Sequence, residues 1–266
     1  MKSMNTMAEI SPSDIEQALA VAKEAVRQAG DLLRKLYAAP LEVVSEAAHD
    51  IKLKADQIAE AQILKCLEKG FPLPVLTEES GEHGHLEETS MMWVVDPLDG
   101  TFNFSRGMPM CCSSVGLWRG GEPVLGAVYD FFADELFFGV VGGEARRNDT
   151  VIHPSSVTTI EQAALATGFP HHRDLGDESM SRFLAQVRGF KKIRMLGSAA
   201  LMGAYTGCGW LDAYIEDDIW LWDVAGAAAV ARAAGCKVQV RPGTAGRWAR
   251  IVKFAATPEL FTAIED

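Results

Sequence analysis

The sequence predicts an α+β protein in which an N-terminal antiparallel sheet with a helix pair precedes a C-terminal mixed sheet flanked by helices. Two long segments near the N-terminus carry apolar residues at helical spacing. Three β-rich segments joined by short turns occupy residues 111–141. From residue 163 onward, short apolar strands alternate with helical segments, and this alternation is typical of a sheet covered by helices.

The first two elements are predicted to be helices. The first spans Ser11–Tyr37, and the pair Ser13 and Glu16 predicts a capping box at its start. The second spans Ala55–Lys69. Their apolar positions recur every three or four residues, as one buried face requires. They are Ile15, Ala18, Leu19, Ala22, Val26, Ala29, Leu33 and Leu36 in the first helix, and Ile58, Ile63, Leu64 and Leu67 in the second.

A short strand is predicted over residues 72–76, directly before Thr77-Glu78-Glu79-Ser80. The following stretch, Gly81–Ser90, is polar and holds His83 and His85. A His-x-His pair can ligate a metal, but among glycine and glutamate residues we expect these two histidines to be solvated loop residues.

The next strand, Trp93–Asp96, is apolar and buried, and we expect Pro97 to end it because proline has no N–H to donate. Asp96 and Asp99 would then share one tight turn, in which Gly100 provides the unusual backbone angle.

Three antiparallel strands follow, with turn signals at Gly120-Gly121 and Ala133-Asp134. They are Cys111–Trp118, Pro123–Phe132 and Glu135–Val141. The turn-rich stretch that ends at Asp149 is the predicted boundary between an N-terminal α+β subdomain, residues 1–148, and a C-terminal α/β subdomain, residues 149–266.

The second half is predicted to alternate between strands and helices. The strands are Ala163–Thr167, Lys192–Met195, Leu211–Ile215, Lys237–Val240 and Val252–Ala255. The helices are Asp177–Val187, one beginning at Ser198, Trp222–Ala234 before Gly235, and one beginning at Pro258.

Composition excludes several classes of protein. No window reaches 18 consecutive apolar residues, and residues 1–10 lack the apolar run of a secretory signal, so neither a membrane span nor export is expected. Five cysteines do not form a disulfide framework, which favours a cytoplasmic location. The net charge of −11 argues against nucleic-acid binding. It also means that a site for an anionic substrate must obtain its positive charge from elsewhere.

Acidic residues at the ends of predicted elements suggest a cation site. Asp96 and Asp99 follow a buried strand and would repel one another, and Mg²⁺ would relieve that repulsion in an all-oxygen site that includes the Leu98 carbonyl. An Asp-rich capping turn is the alternative. Asp56 and Asp223 also fit the first turns of helices, where an acid is favoured by the dipole. With Glu78, these five acids could share one site only if cations neutralise them.

Four motifs together resemble the inositol monophosphatase family of Mg²⁺-dependent, lithium-sensitive phosphatases. The first is Asp96-Pro97-Leu98-Asp99-Gly100-Thr101-Phe102-Asn103-Phe104. The second is Trp222-Asp223-Val224-Ala225-Gly226-Ala227. The others are Leu76-Thr77-Glu78-Glu79-Ser80 and the substrate-side pair Gly197-Ser198-Ala199-Ala200 and Asp212-Ala213-Tyr214-Ile215-Glu216. Their order and spacing extend the resemblance over nearly the whole chain.

The resemblance implies a layered αβαβα sandwich, a homodimer, a small phosphorylated substrate and two or three Mg²⁺ ions. The ions would be held by Glu78, Asp96, Asp99, Asp223 and the carbonyl of Leu98. Thr101, oriented by Asp56, would activate the attacking water together with Glu78. The implied substrate contacts are Asp99, Gly100, Thr101, Gly197, Ala199 and Glu216.

The sequence departs from the family's usual pattern at three places, none of which belongs to the implied metal set. Lys52-Leu53-Lys54-Ala55 replaces a Val-Thr run before Asp56, and these lysines would either attract a further anion or extend into solvent. Phe102 stands where animal enzymes often have threonine, and Asn148-Asp149 replaces Asn-Gly.

The expected activity is hydrolysis of inositol 1-phosphate or a similar small polyol phosphate. Fructose-1,6-bisphosphatase, histidinol-phosphate phosphatase and bisphosphate nucleotidase activities are alternatives within the superfamily, although Phe102 and Asp223-Val224-Ala225-Gly226 argue against the nucleotidases. A regulatory, non-catalytic homologue is a third possibility, which loss of metal ligands would favour.

Overall fold

The structure, a computed structural model, describes residues 10–37, 42–47, 50–87, 90–169 and 176–264. The helices in these ranges are α1 (Pro12–Tyr37), α2 (Lys54–Gly70), α3 (Thr101–Ser105), α4 (Asp177–Arg188), α5 (Ala199–Gly207), α6 (Leu221–Ala234) and α7 (Pro258–Ala263). The strands up to residue 130 are β1 (Val43–Ala47), β2 (Asp50–Leu53), β3 (Val75–Thr77), β4 (Gly81–His83), β5 (Met92–Asp99), β6 (Cys112–Arg119) and β7 (Glu122–Asp130). The later strands are β8 (Glu135–Val140), β9 (Ala145–Arg147), β10 (Thr150–Val151), β11 (Ala164–Thr167), β12 (Lys192–Arg194), β13 (Ala213–Trp220), β14 (Lys237–Pro242) and β15 (Ala249–Ala255).

The first sheet has eight strands in the order β10-β9-β8-β7-β6-β5-β3-β4. Every neighbouring pair is antiparallel, as expected, except β3 and β5, which run parallel. The Trp93 N–H donates to the Pro74 carbonyl oxygen near the start of both strands. The sheet is therefore mixed.

The helix pair α1 and α2 covers one face of this sheet. Small side chains, among them Ala22, Ala25 and Ala29, are fully buried on α1 and let its backbone approach β7 closely. A Cβ atom at Gly30 would lie 2.5 Å from the Tyr129 ring. Both helices confirm the predicted ranges to within one residue.

The start of α1 differs from the expected capping box. The helix begins at Pro12, a favoured first position for proline. Ser11 is the cap, because its Oγ accepts a hydrogen bond of 3.1 Å from the Asp14 N–H. The predicted capping role of Ser13 and Glu16 is therefore wrong by two residues.

The predicted strand end at Pro97 is also wrong. Strand β5 continues to Asp99, and its pairing with β6 shifts register between Asp96 and Asp99. Pro97 lies in this bulge, where a ladder N–H is not needed, and its carbonyl accepts a 2.7 Å hydrogen bond from Ser113 Oγ. Asp96 and Asp99 therefore flank a bulge and do not share a free turn.

The second sheet has five strands in the order β12-β11-β13-β15-β14. Strand β11 runs parallel to β12 and β13, whereas β15 runs antiparallel to β13 and β14. This confirms the predicted mixed sheet. Strand β13 extends five residues past the predicted end at Ile215, through a bulge after Glu216.

Three apolar cores separate the five layers. The first lies between the α1–α2 pair and the first sheet, and the third lies between the second sheet and α4 with α7. The middle core joins both sheets to the α5–α6 layer, including the buried residues Val94, Ala228 and Phe254. The αβαβα sandwich is thus confirmed, and the middle core is shared by both predicted subdomains. The division at residue 148 stays a prediction, and the β9–β10 hairpin of the first sheet continues to Val151.

No helix among the described residues combines the length and hydrophobicity needed to cross a membrane.

Candidate active site

The bulge at the end of β5 delivers a short run of functional side chains into the interior. Asp96 is 1% exposed and Asp99 is 8% exposed. Gly100 follows with a φ of +90°, and a Cβ atom there would lie 2.7 Å from the Met110 carbonyl oxygen. Because both the angle and the space favour glycine, this position turns the chain sharply into α3. Thr101 is the first residue of that helix.

Thr101 and Asp56 meet as the resemblance implied. The Thr101 hydroxyl lies 2.9 Å from Asp56 Oδ1 and 2.9 Å from the Leu98 carbonyl oxygen, either of which can accept its proton. Asp56 Oδ2 accepts a 2.7 Å hydrogen bond from the Leu53 N–H at the start of α2. Burial raises the pKa of the Asp56 carboxyl to about 7, and its hydrogen bonds only partly offset that effect.

Four acids from three parts of the chain interact electrostatically. The pKa of Asp96 is raised well above its usual value by burial, then by the charges of Glu78, Asp99 and Asp223, and by a hydrogen bond with Glu78. The pKa of Asp223 is raised by burial and then by Glu78 and Asp99. Glu78, Asp96, Asp99 and Asp223 are therefore within electrostatic reach of one another, and their assignment as metal ligands stays a prediction.

These acids do not form a ready-made cage. In the part of the chain that the structure describes, no group of three or more His, Cys, Asp or Glu side chains already has metal-binding geometry. The donor set nevertheless suits a hard divalent cation, because all of its atoms are oxygens and repulsion between buried carboxylates raises their pKa values.

Asp99 is tied to the start of α5. Its Oδ2 accepts a 2.6 Å hydrogen bond from Ser198 Oγ and a 2.7 Å bond from the Ala200 N–H, and its Oδ1 accepts a 3.2 Å bond from the Ala199 N–H. Burial raises the pKa of Asp99 to about 6 although these donors lower it. The Ala199 N–H, implied as a substrate contact, is therefore already engaged by Asp99.

The turn before α5 is held by Asn103. Its side-chain amide donates to the carbonyl oxygens of Leu196 at 2.7 Å and Met110 at 2.8 Å. Gly197 has a φ of +73°, and a Cβ atom there would lie 2.9 Å from the Asn103 amide nitrogen. The structure thus places Gly197 beside the Asp99 site. Sequence reasoning missed the roles of Asn103 and Ser198, although both lie inside the quoted motifs.

Glu216 lies at the bulge of β13. Tyr214 donates its hydroxyl proton to Glu216 Oε2 at 2.9 Å, and a side chain at Gly168 would collide with the Glu216 carboxylate. Burial is the main cause that raises the pKa of Glu216 to about 7, and the negative charge of Asp99 adds to it. Glu216 is therefore within electrostatic reach of the four acids. Tyr214 and Gly168 were not identified as partners from the sequence.

Other sequence candidates lie apart from this cluster. Lys54 Nζ donates to Gln57 at 3.0 Å, and the side chain of Lys52 is outside what the structure describes. His83 contacts Ser80 Oγ at 2.6 Å and His85 contacts Glu87 at 3.3 Å, so neither joins the acids.

Comparison with known proteins identifies a matching family, similar sequences and a similar solved structure. The model of a family described as the inositol monophosphatase family matches residues 14–259. A Synechocystis protein named Inositol-1-monophosphatase is 35% identical over 228 residues, covering 85% of this chain and 79% of the relative. A Xylella fastidiosa protein named Nus factor SuhB is 36% identical over 224 residues, covering 82% and 80%. The structure of an inositol monophosphatase from Anabaena superposes with a TM-score of 0.78 at 32% identity, over 91% of each chain.

Proposed function

Because the chain belongs to the inositol monophosphatase family, a family of phosphatases that act on small phosphorylated substrates, we propose that it is a Mg²⁺-dependent phosphomonoesterase. The proposed substrate is inositol 1-phosphate or a similar small polyol phosphate. The observation that carries the proposal is the electrostatic interaction of four acids, of which Asp96 and Asp99 are buried, beside the hydrogen-bonded pair Thr101 and Asp56.

The residues that would hold two or three Mg²⁺ ions are Glu78, Asp96, Asp99, Asp223 and the carbonyl of Leu98. Bound there, divalent cations would neutralise the phosphate and acidify water so that it attacks near neutral pH. This supplies the positive charge that a protein of net charge −11 lacks.

Thr101 and Asp56 are proposed to act together in removing the proton of the attacking water. Thr101 Oγ1 can accept a hydrogen bond from water while donating its own proton to Asp56 Oδ1, 2.9 Å away. The raised pKa of Asp56, about 7, makes this carboxylate a base matched to neutral pH. Glu78, hydrogen-bonded with Asp96, is the second group assigned to the water.

The phosphate and the alcohol parts of the substrate are proposed to contact different groups of the protein. The backbone N–H groups of Gly100 and Thr101, at the glycine turn, are proposed to hold the phosphate. Glu216 would accept hydrogen bonds from hydroxyls of the leaving alcohol, and Tyr214 holds its carboxylate in place. A site of this kind favours polyols over esters without hydroxyl groups. We also propose that the protein is a homodimer with a cytoplasmic location.

The relatives named Nus factor SuhB support a second candidate, a regulatory role beside catalysis or in its place. The two candidates differ in whether the purified chain turns over phosphate esters.

The test is phosphate release in the presence of Mg²⁺ from inositol 1-phosphate, fructose 1,6-bisphosphate, histidinol phosphate and 3′-phosphoadenosine phosphate. We expect inositol 1-phosphate to be hydrolysed with the highest kcat/KM, with activity lost in excess EDTA and restored by Mg²⁺. A faster reaction with another ester would correct the substrate. Full turnover in EDTA would refute the metal dependence, and no turnover of any ester would favour the regulatory candidate.

A further inference from the structure

Glu60 is a buried carboxylate for which the proposed mechanism has no use. It lies on α2 and is 6% exposed, and its side chain has no cationic partner among the described residues. A buried carboxylate without such a partner requires several hydrogen-bond donors to offset its lost hydration. Glu60 therefore needs an explanation beyond helix formation.

Among the described residues, the donors to Glu60 come from one four-residue turn, Thr77–Ser80. Thr77 Oγ1 donates to Glu60 Oε2 at 2.6 Å, and the N–H groups of Glu79 and Ser80 donate to the same oxygen at 3.2 Å and 3.3 Å. Ser80 Oγ donates to Oε1 at 2.6 Å. Hydrogen bonds to a charged acceptor are roughly twice as strong as neutral ones, so this carboxylate determines the conformation of the turn.

Glu78 lies in this turn between Thr77 and Glu79, both of which donate hydrogen bonds to Glu60. Its N–H donates to the Val95 carbonyl oxygen at 3.3 Å, which ties it to β5. The Glu78 backbone is thus fixed from two elements, while its carboxyl group is hydrogen-bonded with Asp96.

We propose that Glu60 is a positioning residue that folds the Thr77–Ser80 turn so that Glu78 is presented to the cation site. This inference rests on the proposed function, because it assumes that Glu78 binds Mg²⁺. Without Glu60, cation binding itself would have to order the turn. The free-energy cost of that ordering would lower the affinity of the site for the cation. Once cations saturate the site, the turn is held by them and the catalytic groups are in place.

Two variants of Glu60 separate the loss of the hydrogen-bond acceptor from the loss of the negative charge. Glu60→Leu fills a similar volume but leaves the donors of Thr77, Glu79 and Ser80 without a partner. Glu60→Gln keeps one oxygen for the three donors to Oε2, and its amide can donate to Ser80 Oγ, since a hydroxyl also accepts. We therefore expect Glu60→Leu to weaken cation binding and Glu60→Gln to preserve it.

Asp130 provides a matched control. It is a buried carboxylate that also holds a turn, accepting from the N–H groups of Phe132 and Ala133 and from the Tyr205 hydroxyl at 3.2 Å. None of these partners carries a group assigned to catalysis. Asp130→Leu should lower stability without changing the cation requirement, as a merely structural carboxylate would.

The measurements are Mn²⁺ binding followed by electron paramagnetic resonance, Mg²⁺ activation of inositol 1-phosphate hydrolysis, and amide hydrogen exchange of residues 77–80 without metal. For Glu60→Leu we expect Mn²⁺ affinity and the half-activating Mg²⁺ concentration to worsen about 10- to 100-fold, kcat at saturating Mg²⁺ to stay within about threefold, and exchange of the turn to accelerate. Glu60→Gln should stay within about threefold of wild type on each measure.

An unchanged cation requirement in Glu60→Leu, or an equal shift in Asp130→Leu, would overturn the positioning role and leave the proposed function standing. A wild-type protein that neither binds Mn²⁺ nor needs Mg²⁺ would overturn the proposed function and this inference together. If Glu60→Leu does not fold, Thr77→Val removes the hydroxyl donor alone. It should shift the requirement in the same direction, while the matching Tyr205→Phe should not, and an unchanged Thr77→Val would overturn the role.

Discussion

At the residue scale, the buried Asp56 and the partly buried Glu216 are carboxylates whose neighbours suit them to different tasks. Burial raises both pKa values to about 7. Asp56 accepts a hydrogen bond from Thr101, a residue with a single hydroxyl proton to pass on. Glu216 is braced by Tyr214 and has the small residue Gly168 beside it. We propose that the first arrangement serves proton transfer and that the second presents a hydrogen-bond acceptor to a substrate hydroxyl.

Replacing Thr101 by alanine should lower kcat with little change in KM. Its hydroxyl matters when the attacking water loses its proton, so the loss falls on the transition state. The expected decrease is on the order of 100-fold, within the range of general acid–base contributions. Steady-state kinetics with inositol 1-phosphate and with p-nitrophenyl phosphate should give similar losses, because the water is common to both. A loss confined to KM would contradict this role.

Glu216→Gln tests recognition with the same pair of esters. Its carboxylate would accept hydrogen bonds from substrate hydroxyls, so neutralising it should cost about 1.5–3 kcal/mol in kcat/KM for inositol 1-phosphate. The loss with p-nitrophenyl phosphate, which lacks such hydroxyls, should be much smaller. Equal losses would mean that Glu216 supports the metal site and does not select the substrate.

At the element scale, two backbone irregularities and one helix start bring the groups together. The β5–β6 register shift separates Asp96 from Asp99, and the bulge in β13 follows Glu216. Helix α5 begins on the carboxylate of Asp99, which accepts from Ser198 Oγ and two backbone N–H groups. Asp99 thus stabilises a helix and remains a candidate metal ligand.

Ser198→Ala should therefore weaken both the helix start and the cation site. The variant loses a 2.6 Å hydrogen bond to a buried carboxylate, and we expect the free energy of unfolding to fall by about 1.5–3 kcal/mol without metal. Because the lost bond lowered the pKa of Asp99, that pKa should rise and Mg²⁺ should bind more weakly near pH 6. Urea unfolding with and without Mg²⁺ measures both effects.

Thr257→Ala is the control for this prediction. Thr257 caps α7 through a 3.1 Å hydrogen bond from the Leu260 N–H and touches none of the four acids. It should lower stability without altering the gain that Mg²⁺ provides. The same loss of Mg²⁺ stabilisation in both variants would show that Ser198 acts only as a cap.

Local signals predicted most elements, and contacts distant in sequence explain what they missed. Apolar spacing in α1 and α2 and the glycine at position 100 are local features, so their predictions held. The effect of Pro97 depended on a bulge opposite Ser113, which no local pattern reveals. The antiparallel pairing of β1 with β2 was missed because residues 49–56 were interpreted only as the stretch that leads into the second helix.

In the candidate site too, residues within local motifs could be predicted from the sequence, whereas partners distant in sequence could not. The acids stood out through their motifs, and their electrostatic interaction agrees with the prediction. Their supporting partners did not stand out, because Glu60 and Ser198 act across 17 and 99 positions of sequence.

At the scale of the whole molecule, the layering brings the acids of both halves together. Asp96 and Asp99 come from the first sheet, Asp223 from the first turn of α6, and Glu216 from the second sheet. The α5–α6 layer packs against both sheets in one apolar core, which joins the elements that carry these acids. Without cations, the pKa of Asp99 is raised to about 6, so this carboxyl is partly protonated near pH 6.

Calorimetric titration of Mg²⁺ near pH 6.5, in two buffers of different ionisation enthalpy, tests the central claim most directly. Cations favour the deprotonated carboxylates, so wild-type protein should bind Mg²⁺ with release of protons. Asp223→Asn, which removes one ligand charge while keeping its shape, should lose that binding. Asp212→Asn should retain it, because Asp212 accepts from Ser155 Oγ and the Ala164 N–H and lies outside the four acids. Wild-type protein that binds no Mg²⁺, or Asp223→Asn that binds it equally well with equal proton release, would contradict a cation site built from these acids.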